Sequence, residues 1–394
     1  MSIDTRKINK DEMYFSLKGD NFDGNVFAME AIEKGAKFSI VDDLEQKDIH
    51  DNVVYVENSL KALQDLSNHH RSLFDTKVIG ITGSNGKTTT KNLIYSILSQ
   101  KYNVIKTKGN LNNHIGVPLS LLNIKDDIDV AIIEMGANHV GEIKRLCEIA
   151  MPDIGLITNY GYAHLEGFGS FEGVIKGKTE MYEYLTENYG HIILNNDDKL
   201  QVENCKGDLA VTFGSSKDSE FIFDYKKDNS SLKLKIDGYE FNSNLFGEYN
   251  FSNLASSITI GKFLDLSNKE IQEGLNKFLN DSNRSEILIF DSNKIYLDAY
   301  NANPTSMLAA ISNFENININ NRVLILGDMF ELGEYSDQEH QKIVDFVTNK
   351  DYSKIYLVGD NFSKCNTDGE YFFKFLNTNE LAQSDSFKNL KNMN

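Results

Sequence analysis

Val78-Ile79-Gly80-Ile81-Thr82-Gly83-Ser84-Asn85-Gly86-Lys87-Thr88-Thr89-Thr90 is a short apolar, β-branched run that passes into a loop with glycines at 80, 83 and 86. Leu93, Ile94, Ile97 and Leu98 follow at helical spacing. The order is strand, loop, helix. Glycines let successive backbone N–H groups turn inward onto a phosphate, and the following helix presents the positive end of its dipole. Lys87 adds a mobile positive charge near the terminal phosphates, and Thr88 has a hydroxyl of the kind that reaches Mg²⁺. The common phosphate-loop spacing would put glycine at 81, where this chain has Ile81, so the working core is Gly83-x-x-Gly86-Lys87-Thr88. The alternative, a glycine-rich turn with no ligand, explains neither the lysine nor the threonines.

The 394 residues have room for two or three domains, each with its own core. Lys and Arg number 40 against 58 Asp and Glu, a net charge of −18, and no basic run is present. Non-specific nucleic-acid binding is therefore not expected, and an anionic substrate would need locally gathered positive charge. Cys147, Cys205 and Cys365 lie far apart with no CxxC pair, which points to a reducing compartment and away from structural zinc or disulfides. The N-terminal MSIDTRKINKDE has no apolar leader core, and no apolar run approaches the roughly 18 residues that span a bilayer. A soluble, cytoplasmic protein is expected.

Residues 1–76 read as a small α/β unit. Its strand candidates are Glu12–Leu17, Phe38–Val41 and Val53–Val56, with a turn-rich Lys18–Asn25 and a helix through Phe27, Ala28, Ala31 and Ile32 that ends at Gly35. On chemistry alone the glycine-containing turn either holds a polar ligand or only connects elements. The unit opened by the phosphate loop, 77–283, contains the asparagine-rich Gly109–Pro118, whose bland reading is a structured connection. Val130–Gly136 is a continuous apolar strand of the kind buried in a parallel sheet, with Glu134 at its C-terminal end. Ligands sit outside that edge of open α/β sheets, so Glu134 is placed to meet a phosphate-bound Mg²⁺; the alternative is a solvated cap.

Further such strands are Ile154–Asn159, which leads to His164, and Ile192–Asp198. A lone histidine after a strand is usually structural. The helix Phe171–Leu185, with Lys176, Lys178 and Glu180, reads as a solvated charged face. Residues 209–245 shift to short alternating segments, an antiparallel excursion, before a helix that begins near Gly247. In 284–394 the alternation is strand (295–298), helix from Pro304, strand (323–328), helix (337–348) and strand (355–359). This order predicts a parallel sheet with right-handed crossovers, with Asp298 and Asp328 on one common edge.

Thr82–Thr90, Glu134-Met135-Gly136-Ala137-Asn138, Asp298-Ala299-Tyr300-Asn301-Ala302-Asn303-Pro304 and Gly327-Asp328-Met329-Phe330-Glu331-Leu332-Gly333 together resemble the Mur ligases. The likeness runs from Asp4 to about residue 359 and is strongest to the branch that joins D-alanyl-D-alanine to UDP-N-acetylmuramoyl-tripeptide. It implies an α/β chain of three domains: a small N-terminal α/β domain, a central P-loop-type domain with a mostly parallel sheet, and a C-terminal Rossmann-like domain. It also implies ATP and Mg²⁺, two ions of the latter, and a monomer.

The resemblance implies that Asp4, Thr5, Arg6, Lys18 and Asp23 hold the UDP-sugar end of the precursor, and that Asn112, Asn113 and His114 form a substrate loop. By the same resemblance Gly83, Ser84, Asn85, Gly86, Lys87, Thr88 and Thr89 are expected to bind nucleotide, with Asn250 and Asn253 on its adenine side and Arg284 and Asp298 reaching it from the third domain. Asn301 and Asn303 fall where the incoming dipeptide is met. Lys87 is then expected to act on the transferring phosphoryl group, Thr88 and Glu134 on one Mg²⁺, and His164 with Lys178 on the second. Lys178 matches a family lysine carbamylated by CO₂, with Lys176 as a neighbouring competitor, since the family Lys-Gly-Glu reads Lys178-Thr179-Glu180 here.

The chain lacks the family's segment before Asp4 and its closing strand with Lys-Gly-Ser-Arg, so an incomplete last domain is expected. Within enzymes, the alternatives are three-domain ligases that add a single amino acid to a UDP-muramoyl peptide or glutamate to folate. From another class, the alternative is a nucleotide-binding protein with impaired catalysis.

Overall fold

The computed structural model describes residues 1–226, 232–279, 284 and 286–394. In the first unit, β1 (Met13–Phe15), β2 (Phe38–Val41) and β3 (Val53–Tyr55) form a parallel sheet in that order. Helices α1 (Ala28–Glu33) and α2 (Ser59–Ser72) accompany it, and a two-residue hairpin pairs Lys18–Gly19 with Phe22–Asp23.

The second unit is built on one seven-stranded sheet. In chain order its elements are β4 (Lys77–Thr82), α3 (Lys87–Leu98), β5 (Val104–Lys106), α4 (Gly116–Leu121), β6 (Val130–Glu134), α5 (Glu142–Ala150), β7 (Ile154–Ile157), α6 (Phe171–Glu187), β8 (His191–Asn195), β9 (Ala210–Gly214) and β10 (Phe221–Ile222). The strands lie β10-β9-β8-β7-β4-β6-β5, and every pairing is parallel. Because successive side chains alternate between faces, Val78, Ala131 and Ile133 enter one apolar cluster with α5 and α6, while Ile79, Ile81, Val130 and Ile132 enter another with α3. A three-stranded antiparallel sheet, β11 (Asp224–Lys226), β12 (Lys233–Ile236) and β13 (Tyr239–Asn242), precedes α7 (Phe251–Phe263) and α8 (Asn268–Lys277).

Two expectations change here. The excursion is shorter than predicted, because β9 and β10 belong to the parallel sheet. Gly80 lies inside β4 rather than in the loop: a Cβ there would stand 3.2–3.3 Å from Met181, Pro152 and Met135, so the position lets side chains from neighbouring segments close onto the strand. Ile81 is likewise a fully buried strand residue, which is why the strict glycine spacing is not met at that position.

The third unit has β14 (Glu286–Phe290), β15 (Asn293–Leu297), α9 (Pro304–Asn316), β16 (Val323–Gly327), α10 (Ser336–Val347), β17 (Lys354–Val358), α11 (Asp360–Lys364) and β18 (Phe372–Phe375). β16, β17 and β18 form the parallel sheet. The segment read as its first strand, β15, instead pairs antiparallel with β14 in a separate hairpin. Asp298 and Asp328 therefore do not share a sheet edge. The Asp328 carboxylate accepts from Asn361 N and Phe362 N, each at 2.9 Å, and so holds the start of α11. β18 follows the last strand read from sequence, and Met393 O and Asn394 O accept from Lys294 N (3.0 Å) and Val323 N (2.8 Å), tying hairpin to sheet. Among the described residues, no helix is long and apolar enough to cross a membrane.

Candidate active site

The phosphate loop is held from below by the end of β7. Ser84 N donates to Asn159 O and Asn85 N to Asn159 Oδ1, both at 3.0 Å, while Asn85 O accepts from Thr158 Oγ1 (2.5 Å) and Asn159 Nδ2 (2.9 Å). Ser84 Oγ donates to Gly161 O at 3.0 Å. Glycine is required twice. Gly83 has φ +142 and a Cβ would lie 1.9 Å from Thr158 Oγ1; Gly86 has φ +83 and a Cβ would lie 2.4 Å from Asn253 Oδ1. Gly86 is also the N-cap of α3, which no side chain caps, so the first N–H groups of the helix are available to an anion.

Lys87 folds back over this loop, donating to Gly83 O (2.6 Å) and Ser84 O (3.2 Å). Burial lowers its pKa, Glu134 pulls it up and Arg284 pushes it down, for a net shift below the ordinary lysine value. Thr88 Oγ1 donates to Glu134 Oε1 at 3.3 Å, and Asn112 Nδ2 donates to the same oxygen at 2.9 Å. Glu134 is 2% exposed, so it is not a solvated cap. Burial by itself would raise its pKa, but Lys91, Lys87 and Asn112 outweigh that and hold the carboxyl below the usual range. Thr88 and Glu134 offer the oxygen donors that a hard divalent cation takes.

Sequence reasoning missed Lys91. It lies one helical turn beyond Lys87, is 2% exposed, and its Nζ stands 3.0 Å from Glu134 Oε2 in an ion pair. The same ammonium donates to Gly109 O at 3.3 Å, linking the carboxylate to the asparagine-rich loop. The i+4 spacing from Lys87 was the available signal.

The charged face expected on α6 is an interior one at its centre. Lys176 is exposed, whereas Lys178 is 1% exposed, over the Phe168 ring at 5.3 Å. Burial and then Lys87 push Lys178 well below the ordinary lysine value. Glu180 accepts from Gly141 N (2.5 Å) and Lys144 N (2.9 Å) and so caps α5. His164 has φ +56, and the Glu331 carboxylate from the third unit lies close to its Nδ1. Its pKa is lowered: burial and the nearby Lys87 and Lys178 outweigh the upward pull of Glu331. Among the described residues no three or more His, Cys, Asp or Glu converge as a metal site.

Asn253 and Asn250 form a buried ladder beneath Gly86. Thr90 Oγ1 donates to Asn253 Oδ1 (3.1 Å), Asn253 Nδ2 to Asn250 Oδ1 (2.9 Å) and Asn250 Nδ2 to Phe246 O (2.8 Å). From the third unit, Asn303 Nδ2 donates to Asn85 Oδ1 at 2.7 Å while Asn303 Oδ1 caps α9 at Ser306 N (2.9 Å). Arg284 lies 3.6 Å from the Tyr300 ring centroid, whereas Asp298 and Asn301 are exposed. Asn113 Oδ1 accepts from Ile115 N and Gly116 N at the start of α4, and His114 is exposed.

In the first unit, Arg6 binds Asp4 through two N–H groups (2.8 and 2.9 Å), which lowers the Asp4 carboxyl to about 2. Thr5 Oγ1 donates to Glu30 Oε1 at 2.9 Å. Lys18 lies 3.8 Å from Asp23 and 3.5 Å from Asp42.

The chain belongs to the Mur ligase family. Residues 1–71 match the Mur ligase family catalytic domain, 81–261 the Mur ligase middle domain, and 283–375 the Mur ligase glutamate ligase domain. The UDP-N-acetylmuramoyl-tripeptide–D-alanyl-D-alanine ligase of Bacillus subtilis (strain 168) is 34% identical over 365 residues, spanning 91% of this chain and 79% of the relative. Among solved structures, MurF from Acinetobacter baumannii superposes with a TM-score of 0.88 at 29% identity, over 97% of this chain and 85% of that one. The MurF ligase of Thermotoga maritima in complex with ADP gives 0.87 at 25% identity, over 99% and 91%.

Proposed function

We propose that this chain is an ATP-dependent ligase that joins the amine of D-alanyl-D-alanine to the terminal carboxylate of a UDP-N-acetylmuramoyl-tripeptide, in peptidoglycan precursor synthesis. The observation that carries this reading is the complete phosphate-loop arrangement of Lys87, Thr88 and Glu134 in a chain that aligns over 91% of its length with a relative of that named activity.

A carboxylate is a poor electrophile, so a peptide carboxylate oxygen first attacks the γ-phosphorus of ATP. The bond to the β-phosphate oxygen breaks, and ADP leaves with an acyl phosphate in place. The dipeptide nitrogen then attacks the acyl carbon, the resulting tetrahedral adduct expels phosphate, and the surplus proton goes to solvent. Residues of the chain supply positioning and charge. The N–H groups at the start of α3 receive phosphate oxygens, and Lys87 releases Gly83 O and Ser84 O to reach the transferring group. Gly83, Ser84, Asn85, Gly86 and Thr89 shape that cradle. Arg284 and Asp298 approach the nucleotide from the third domain, with Asn250 and Asn253 supporting the loop from beneath.

Thr88 and Glu134 would hold one Mg²⁺, and His164 with Lys178 a second. When bound, these ions neutralise phosphate charge. Lys178 supports this role as a carbamate: its burial favours the neutral amine, whose nitrogen attacks CO₂, forming an N–C bond and losing a proton to leave an anionic oxygen ligand. Asp4, Thr5, Arg6, Lys18 and Asp23 would hold the UDP-sugar, and Asn112, Asn113, His114, Asn301 and Asn303 the peptide side. A cytoplasmic monomer is part of the same proposal, and sedimentation velocity at assay concentration tests the monomer.

ADP release measured with UDP-N-acetylmuramoyl-tripeptide and Mg²⁺ should depend on added D-alanyl-D-alanine. Stimulation by a single amino acid instead would move the chain to another branch of the family. ATP binding with no acceptor-dependent release would make it a binding protein.

A further inference from the structure

The start of α4 lacks one backbone bond because of its own sequence. Asn113 O accepts from Val117 N (2.9 Å) and Ile115 O from Leu119 N (3.4 Å). Between them, the helical donor due to His114 O would come from residue 118, which is Pro118 and has no N–H. The first domain supplies the bond instead: Gln64 Nε2, on α2, donates to His114 O at 3.0 Å. Gln64 is buried, and Arg145 Nη2 on α5 donates to its Oε1 at 2.9 Å. An amide accepts at one end and donates at the other, so Arg145 turns the donor end towards His114. Packing runs the same way, since Ile115, Leu119 and Leu122 lie against the first-domain cluster of Phe15, Ile40 and Leu63.

We propose that Gln64 is a positioning residue for the peptide-side loop, through which the first domain sets the backbone that leads to Glu134. Two residues before His114, Asn112 O accepts from Gly136 N (2.8 Å) and Asn112 Nδ2 reaches Glu134 Oε1, so the central domain holds one end of this short stretch and Gln64 the other. Fixing the loop before substrate arrives removes its ordering from the cost of binding. The effect falls on the UDP-linked peptide and not on ATP, whose phosphate loop is held separately by Thr158 and Asn159. Asn68 Nδ2 on Glu148 O (2.8 Å) and Arg71 Nη2 on Asp153 Oδ2 (2.9 Å) seat the same helix, so the domains stay docked when the Gln64 bond is lost. This inference rests on the reading of Asn112, Asn113 and His114 as the peptide side.

The test compares amide hydrogen exchange over residues 111–116 of the ligand-free chain with steady-state kinetics. Gln64→Glu keeps the volume and the Arg145 contact but turns an acceptor towards His114 O. It should speed exchange in that segment and raise the KM for the UDP-linked peptide by about 10-fold, with the KM for ATP and kcat at saturation unchanged. Arg145→Met weakens the same interface but leaves the donor in place, and should alter both readouts far less. Unchanged exchange in Gln64→Glu overturns the proposal, as does equal loosening by Arg145→Met. If Gln64→Glu frees the loop but neither it nor His114→Ala changes the KM for the UDP-linked peptide, the peptide-side reading fails and the hold on the loop stands. If His114→Ala raises that KM while Gln64→Glu changes neither exchange nor KM, the peptide-side reading survives and the inference falls.

Discussion

The two sides of the candidate cleft are built differently. On the central domain, Ser84 and Asn85 are bonded to Gly161 and Asn159, Lys87 to the carbonyl of Gly83, and Thr88 and Asn112 both to Glu134, and Glu134 and Lys178 are nearly closed off from water. On the third domain, Asp298, Tyr300 and Asn301 are exposed, and Asn303, Thr305, Glu331 and Tyr335 reach across to the central domain. The first side is preorganised by a buried parallel sheet; the second is assembled by docking. Electrostatic preorganisation is worth most where reorganisation has already been prevented. Substitutions on the central side should therefore cost more than those on the third domain.

The largest effect is expected at Lys87. Lys87→Ala should lower D-alanyl-D-alanine-dependent phosphate release by about 10³-fold or more, with thermal stability nearly unchanged; near-normal turnover would remove the loop from the mechanism. Lys178→Met sharpens the contrast by separating function from stability. Activity should fall to background, and a small carboxylic acid should restore part of it in Lys178→Ala. In CO₂-free buffer the melting temperature of Lys178→Met should rise. The sign follows from burial: the folded pKa lies well below the ordinary 10.5, so the unfolded chain binds the proton more readily. The lysine thus penalises folding at neutral pH, and the gain from Lys178→Met should shrink as pH climbs towards 10.5.

Lys91→Met should cost about 3–5 kcal/mol of unfolding free energy by leaving Glu134 buried without its ion partner. Pairing it with Glu134→Gln should return much of that in a denaturant titration; strict additivity of the two changes would show that the pair is not coupled. On the other side, Arg284→Lys should raise the KM for ATP by only about 5-fold, the loss of roughly 1 kcal/mol of stacking on Tyr300. A loss as deep as that of Lys87→Ala would erase the distinction between the two faces.

The sequence signals were uneven for the same physical reason. Strands buried on both faces read as unbroken apolar runs, so β4, β6 and β7 and the loop after β4 were legible, as were α9 and the residues at its start. The hairpin of β14 and β15 was not, because a strand that precedes a helix looks alike whether it crosses over or doubles back. Ile287–Phe290 followed by Asp291-Ser292 was the signal that could have told them apart. Phe372–Phe375 was hidden in polar surroundings for want of a longer apolar run. At the site, residue types on the loop could be assigned from chemistry, whereas the Asn85–Asn303 pair joins positions 218 apart and leaves no local trace. Glu331 belongs to a motif in the sequence, but nothing in the sequence says which residue it faces.

One consequence of the inward gathering of Lys87, Lys91 and Arg284 concerns encounter rather than chemistry. The chain as a whole bears a charge of −18, so a polyanionic nucleotide approaches against a long-range repulsion and feels attraction only within the cleft. Added salt, with a screening length of about 10 Å at 0.1 M, should first hasten nucleotide association by muting the surface, and slow it only when the ions begin to compete inside.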